Sequence, residues 1–241
     1  MSTRIPWTRV QLIEVLKLYC QTPFGRLHSK NPIIVRIADK IGRTPSAVAL
    51  KAVNFASLDP TIEQKGMSNA SALDREVWAE FFANMHDFVG EREPEQPVFG
   101  FDEDQQTAFI SALPDGEDLL AQTRIRKNQG FFRKMILASY VDTCEISGIK
   151  TSNLLVASHI VPWSKTPSLR MNPSNGICLN ALHDRAFDRN LITFGEDLSV
   201  ICSSKLDKRA RIKLGDRLSL PHRFRPDPEF LAYHRTKLFI P

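Results

Sequence analysis

The chain has 241 residues, is 42% hydrophobic and carries a formal net charge of +5. That length suits one or two domains with a real core. No run of eighteen apolar residues exists to cross a membrane, and the N-terminal MSTRIPWTRVQ lacks the parts of a signal peptide. The expected location is therefore cytoplasmic, with Cys20, Cys144, Cys178 and Cys202 reduced. None of these forms a CxxC pair, and Ser147 stands where a second thiolate would follow Cys144, which argues against a zinc ribbon.

The charge is unevenly spread. Residues 1–90 hold 11 Lys/Arg and 8 Asp/Glu, residues 91–123 hold 1 and 9, and residues 124–241 hold 20 and 10. A basic body beside an acidic connector points to a polyanionic partner, or to an ordinary solvated basic surface. The stretch GEREPEQPVFGFDED over Gly90–Asp104 reads as a linker. The predicted organisation is a helical domain over 1–90, an acidic linker over 91–123 and a second domain over 124–241.

In chain order, apolar spacing predicts a helix over Trp7–Tyr19 and a second over Asn31–Ile41, which stops at Gly42. A third follows Thr44–Pro45, with Thr44 as cap and Pro45 at the first helical position. A fourth covers Asp74–Phe88. Helices over Gln105–Leu113 and Leu119–Tyr140 come next, the latter interrupted near Gly130. The pattern then changes to short strands at Leu154–Ser158 and Asn175–Asn180, a helix at His183–Arg189, a hairpin of Leu191–Phe194 and Leu198–Cys202, and a terminal helix at Pro228–Phe239.

The segment IVRIADKIGRTPSAVALKAVNF has a helix-turn-helix layout at about 31–56, with Ala38, Ile41, Val48 and Val53 between the two helices. Its GRTPSAV turn and Lys51 resemble the helix-turn-helix family over about twenty residues. In that reading the second helix offers Arg43, Ser46, Lys51 and Asn54 to DNA, residue types that contact phosphates and base edges. The same face also reads as the solvated side of a helical bundle.

Between Cys144 and Phe194, His159 ends the first strand, Asn175 sits in the PSNG turn and His183 opens the helix, a ββα layout. Phosphodiester hydrolysis needs a water made nucleophilic, and imidazole accepts its proton near neutral pH. A divalent cation stabilises the charge that builds on the phosphoryl oxygens, and imidazole or carboxylate can hold it.

Cys144, Gly148, Ala157–Ser158–His159–Ile160, Pro162–Trp163, Asn175–Gly176, Leu179, His183 and Phe187–Asp188–Arg189 resemble the HNH endonuclease family, in its restriction-type branch; DPEFLAYHRTKLF near the end resembles the tail of that branch. The resemblance covers roughly residues 130–240. It implies an α+β protein, an all-α N-terminal domain followed by a ββα-metal nuclease domain. His159 would be the general base, Asn175 the amide supporting base and loop, and His183 a metal ligand. The implied cofactor is one divalent ion, Mg²⁺ foremost, with Mn²⁺ or another transition ion tolerated.

Many such nucleases carry an acidic residue or His before the base, where Ser158 stands here. The ion then has fewer protein ligands or recruits Asp184 or Asp188. Asp188 reads as a metal ligand or as a carboxylate pairing with Arg185 or Arg189, two residues that are also candidates to grip phosphates. The expected partner is double-stranded DNA, and cutting both strands with one metal centre per chain implies a homodimer. Cytosine-modified DNA is an expected substrate, with Trp7, Phe24 and Phe55 as candidates for an apolar reader pocket. The alternative is a DNA-binding regulator with a degenerate HNH module.

Overall fold

The computed structural model describes residues 5–62, 69–88, 128–211 and 214–241. The acidic stretch 91–123, the helix expected at Gln105–Leu113 and the start of the helix expected from Leu119 lie outside them.

Helix α1 spans Arg9–Gln21 and starts with a capping box between Thr8 and Gln11. It buries Leu12, Val15, Leu16 and Tyr19. Helix α2 spans Pro32–Lys40 with Asn31 as cap, and α3 spans Pro45–Ala56 with Thr44 accepting from the Ala47 amide. Between them Gly42 takes φ +67°, a left-handed conformation that glycine adopts without a Cβ clash. Ala38 and Val48 are buried in the angle of this helix-turn-helix, with Ile41 and Val53 packed against the core. Helix α4, Ala72–Ala83, has its own capping box between Ser71 and Asp74, and α5 covers Met85–Phe88.

Packing overturns part of the expectation for α3. Lys51 and Asn54 are each only 7% exposed and face the helical core, not a groove. Lys51 Nζ donates to both oxygens of the fully buried Asp74, at 3.0 and 2.8 Å. An ammonium taken out of water needs such a partner, so the cation expected to meet phosphate is consumed internally. Arg43 is also engaged: its guanidinium lies 4.6 Å from the Trp7 ring centroid and donates to Gln11 and to the Ile5 and Pro6 carbonyls. Of the four positions, only Ser46 is exposed.

Helix α6, Gln129–Ser139, leads into the second half. Strands β1, Leu155–His159, and β2, Gly176–Asn180, pair antiparallel, with Leu155 opposite Asn180 and His159 opposite Gly176. Helix α7 covers Ala181–Asp188, and β3, Ile192–Phe194, forms a hairpin with β4, Val200–Cys202. A short helix α8 covers Lys208–Arg211, and α9, Pro228–Tyr233, continues into a π-turn at His234–Leu238. The class is α+β, as the sequence predicts. Helix α7 begins two residues before the predicted start because the Asn180 side chain accepts from the Leu182 and His183 amides and caps it.

The two halves share one continuous hydrophobic cluster, from Leu12 and Phe81 through Phe131 and Phe132 to Ile177 and Phe194. Helix α6 packs against α1 on one side and β1 and β2 on the other. Arg223, 2% exposed, donates to the carbonyls of Tyr19, Cys20 and Thr22 at 2.6, 2.9 and 2.8 Å. Phe224 adds a backbone N–H to Thr61 Oγ1 at 2.8 Å and a ring contact with Phe82.

Two outcomes follow from this packing. Lys51→Met strands the Asp74 carboxylate in the core and is expected to cost about 3–5 kcal/mol in urea unfolding; loss of DNA affinity with unchanged stability would instead restore Lys51 as a contact. His234 is 2% exposed and stacks on Phe187 at 3.9 Å, and burial pushes its pKa from 6.5 down to about 4. A lowered histidine pKa means that the unfolded chain takes up the proton first. Stability is then full above pH 6.5 and is lost as pH falls towards about 4, by up to about 3 kcal/mol. His234→Gln flattens that part of a pH-dependent melting series.

Candidate active site

His159 closes β1, and its ring stacks on Phe132 of α6, with centroids 4.0 Å apart and planes 11° from parallel. Trp163 meets the other side edge-on at 5.4 Å. His159 Nε2 lies 3.0 Å from the Arg170 carbonyl oxygen. A carbonyl only accepts, so Nε2 carries the hydrogen and Nδ1 holds the lone pair. A half-buried ring with a fixed tautomer is suited to take a proton at Nδ1.

Asn175, 1% exposed, ties down the loop between the strands. Its Oδ1 accepts from the Val161 amide at 2.8 Å, and its Nδ2 donates to the carbonyls of Val161 and Leu169 at 3.1 and 3.2 Å. Leu169 adjoins Arg170, so Asn175 fixes the backbone next to the carbonyl that sets the tautomer of His159. Arg170 closes the same loop, donating from Nε to the Trp163 carbonyl at 3.0 Å.

His183 is 1% exposed at the third position of α7. Its Nδ1 lies 3.1 Å from Asn180 Nδ2 and 3.4 Å from Cys144 Sγ. The Asn180 amide cannot be turned over, because its Oδ1 is committed to two helix N–H groups; Nδ2 must face the ring and Ser147 Oγ, at 2.9 Å. Burial raises the Cys144 thiol, but its hydrogen bonds with His183, Ser147 and nearby backbone outweigh it and bring the pKa to about 6. Glu145 goes the other way, raised to about 7 by burial and the neighbouring sulfur.

Ser158 is buried and its hydroxyl donates to Asp184 Oδ1. Burial raises the Asp184 pKa, with the serine hydrogen bond and the charge of Arg133 opposing. Asp188 is placed differently. Five residues after His183 it is turned about 140° around the helix, and it is exposed where His183 is buried. The acidic group beside the position before the base is therefore Asp184. Among the described residues, no three His, Cys, Asp or Glu side chains converge as a preformed metal cluster.

Residues 144–195 match the family model described as HNH endonuclease. The match covers the strand, loop, strand and helix that carry His159, Asn175 and His183. A solved structure titled "Modification dependent TagI restriction endonuclease" is similar over 48% of this chain and 40% of its own, with 20% identity and a TM-score of 0.36; the matched region thus spans less than half of that protein. No curated protein matches.

Within the matched stretch, Arg185 on α7 and Arg189 at its C-cap are exposed. Sequence reasoning passed over Asn180, although an Asn two residues before a helical Leu-His is a cap signal. The contact of Cys144 with His183 bridges 39 residues with no local signature. The reader-pocket candidates are not open together: Phe55 is fully buried, and Trp7 has Arg43 and Lys51 over its ring.

Gly176 lies opposite His159 and packs under α6. A Cβ there would sit 2.7 Å from Ile136 Cγ1 and 2.8 Å from Phe132 Cζ. Gly176→Ala is expected to cost about 1–3 kcal/mol by overpacking and to push Phe132 against the His159 ring. Denaturation with a cleavage assay checks both, and an unchanged melting curve would show that the site yields freely.

Proposed function

We propose that the protein is a metal-dependent DNA endonuclease of restriction type, acting on double-stranded DNA, with His159 as general base. The observation that carries this reading is the Nε2–H of His159 donated to the Arg170 carbonyl inside an HNH domain. His159 takes the proton of the attacking water at Nδ1. Asn175 keeps base and loop in place without touching the reacting atoms, and Phe132 and Trp163 restrict the ring to one plane.

HNH domains imply a divalent ion, and the donor set here fits one. Asp184 is a half-buried carboxylate, its pKa raised by desolvation, and accepts from a serine hydroxyl. Such an oxygen site suits Mg²⁺, which keeps several waters and takes one or two carboxylates together with substrate phosphate. Asp184 would hold the ion, with Ser158 orienting the carboxylate, and His183 would join it with its ring turned, since Nδ1 facing the Asn180 N–H leaves the hydrogen on Nε2. When bound, the ion neutralises the charge that develops on the phosphoryl and leaving oxygens.

The substrate reading extends to cytosine-modified DNA, and two copies of the chain would cut the two strands. The test pairs an unmodified with a cytosine-modified plasmid in Mg²⁺, in Mn²⁺ and in EDTA. Cutting with metal and none with EDTA is expected, and cutting of the modified plasmid alone would fix the substrate class. His159→Ala is expected to lower the rate by about 10²–10⁴-fold with DNA binding retained. Binding without cutting by the wild type under every ion would establish instead the degenerate module that Ser158 suggests.

A further inference from the structure

An open groove of about 620 Å³ runs between the N-terminal helices and α6. One wall is the Gln21–Ile33 connection between α1 and α2, with Arg26, His28 and Lys30; the other is α6, with Arg133 and Lys134. Asp142 is the one carboxylate among its lining residues. Arg26, His28, Lys30 and Lys134 are exposed. Lys30 and Pro32 also line a second hollow, of about 720 Å³, which continues past Arg36 to Arg43.

The groove reaches the elements of the site through Arg133, at the opposite end of β1 from His159. Phe132, on which His159 stacks, immediately precedes Arg133, and successive helical residues are about 100° apart. Arg133 donates to the carbonyls of Leu155 and Ser152 at 2.6 and 3.3 Å, which fixes its guanidinium at the entry to β1. A line of cations thus leads from the catalytic strand, across the junction, onto the helical half.

We propose that this groove is the path of the DNA backbone, gripping phosphates on one side of the scissile bond through Arg26, Lys30 and Lys134. The inference rests on the nuclease reading and adds where the duplex lies. It places the N-terminal contact on the α1–α2 connection, not on the helix-turn-helix face, where Lys51 is paired with Asp74 and Arg43 is packed on Trp7. Phosphate contacts of this kind are sequence-independent and release counterions, so they appear as a salt dependence of binding.

The experiment measures binding of a fluorescein-labelled duplex in EDTA by anisotropy, across about 50–200 mM salt. It compares the wild type, Lys30→Ala/Lys134→Ala, and Lys208→Ala/Arg209→Ala, a control that removes equal charge from the exposed helix α8. The groove variant is expected to bind on the order of 10- to 100-fold more weakly, with a salt slope shallower by about 2, while the control stays close to wild type. Equal losses in both variants, or an unchanged slope in the groove variant, overturn the path; wild-type plasmid cutting then still supports the nuclease. Absence of both binding and cutting by the wild type removes the nuclease reading and the groove together.

Discussion

The arrangement of the two halves depends on one buried guanidinium. Helix α1 ends with carbonyls that no further helical N–H can reach, and Arg223 fills that place from about two hundred residues away, donating to Tyr19, Cys20 and Thr22. Its positive charge also sits at the negative end of the helix dipole. Burying an arginine is costly unless its donors are used; here both terminal nitrogens are bonded to carbonyls at the end of α1, and Nε alone is left without a partner. Thr22 also lines the groove between the halves. The contact that joins the α1 end to the C-terminal segment therefore shapes the surface offered to a ligand.

The helical half shows how a motif can be present and its expected use absent. The caps, the turn glycine and the apolar angle between α2 and α3 all form as local chemistry dictates. Yet Lys51 turns inward to Asp74, which also caps α4. One carboxylate thus serves a helix start and a buried cation, and the two helices are locked at the expense of a positive face on α3.

In the catalytic half, two amides organise two histidines. Asn175 bonds three backbone groups of one loop and thereby fixes the chain next to the carbonyl that His159 faces. Asn180 caps α7 with its oxygen and offers its nitrogen to His183. An amide has one accepting and one donating end, so committing one end to backbone fixes what the other can present.

Local rules determined much in the sequence alone: helix starts at Asn31 and Thr44, the break at Gly42, the short strands and the order of His159, Asn175 and His183. Each depends on residues within a few positions, where caps, turns and alternation act. Tertiary structure decided what depends on distant partners. Lys51 and Asp74 are 23 residues apart, Ser158 and Asp184 are 26 apart, and Cys144 and His183 are 39 apart. No spacing rule links such pairs, because side chains meet through packing of whole elements rather than along the chain. That is why Asp184 rather than Asp188 stands beside Ser158, and why the basic groove, built from α6 and the α1–α2 connection, has no signature in the sequence.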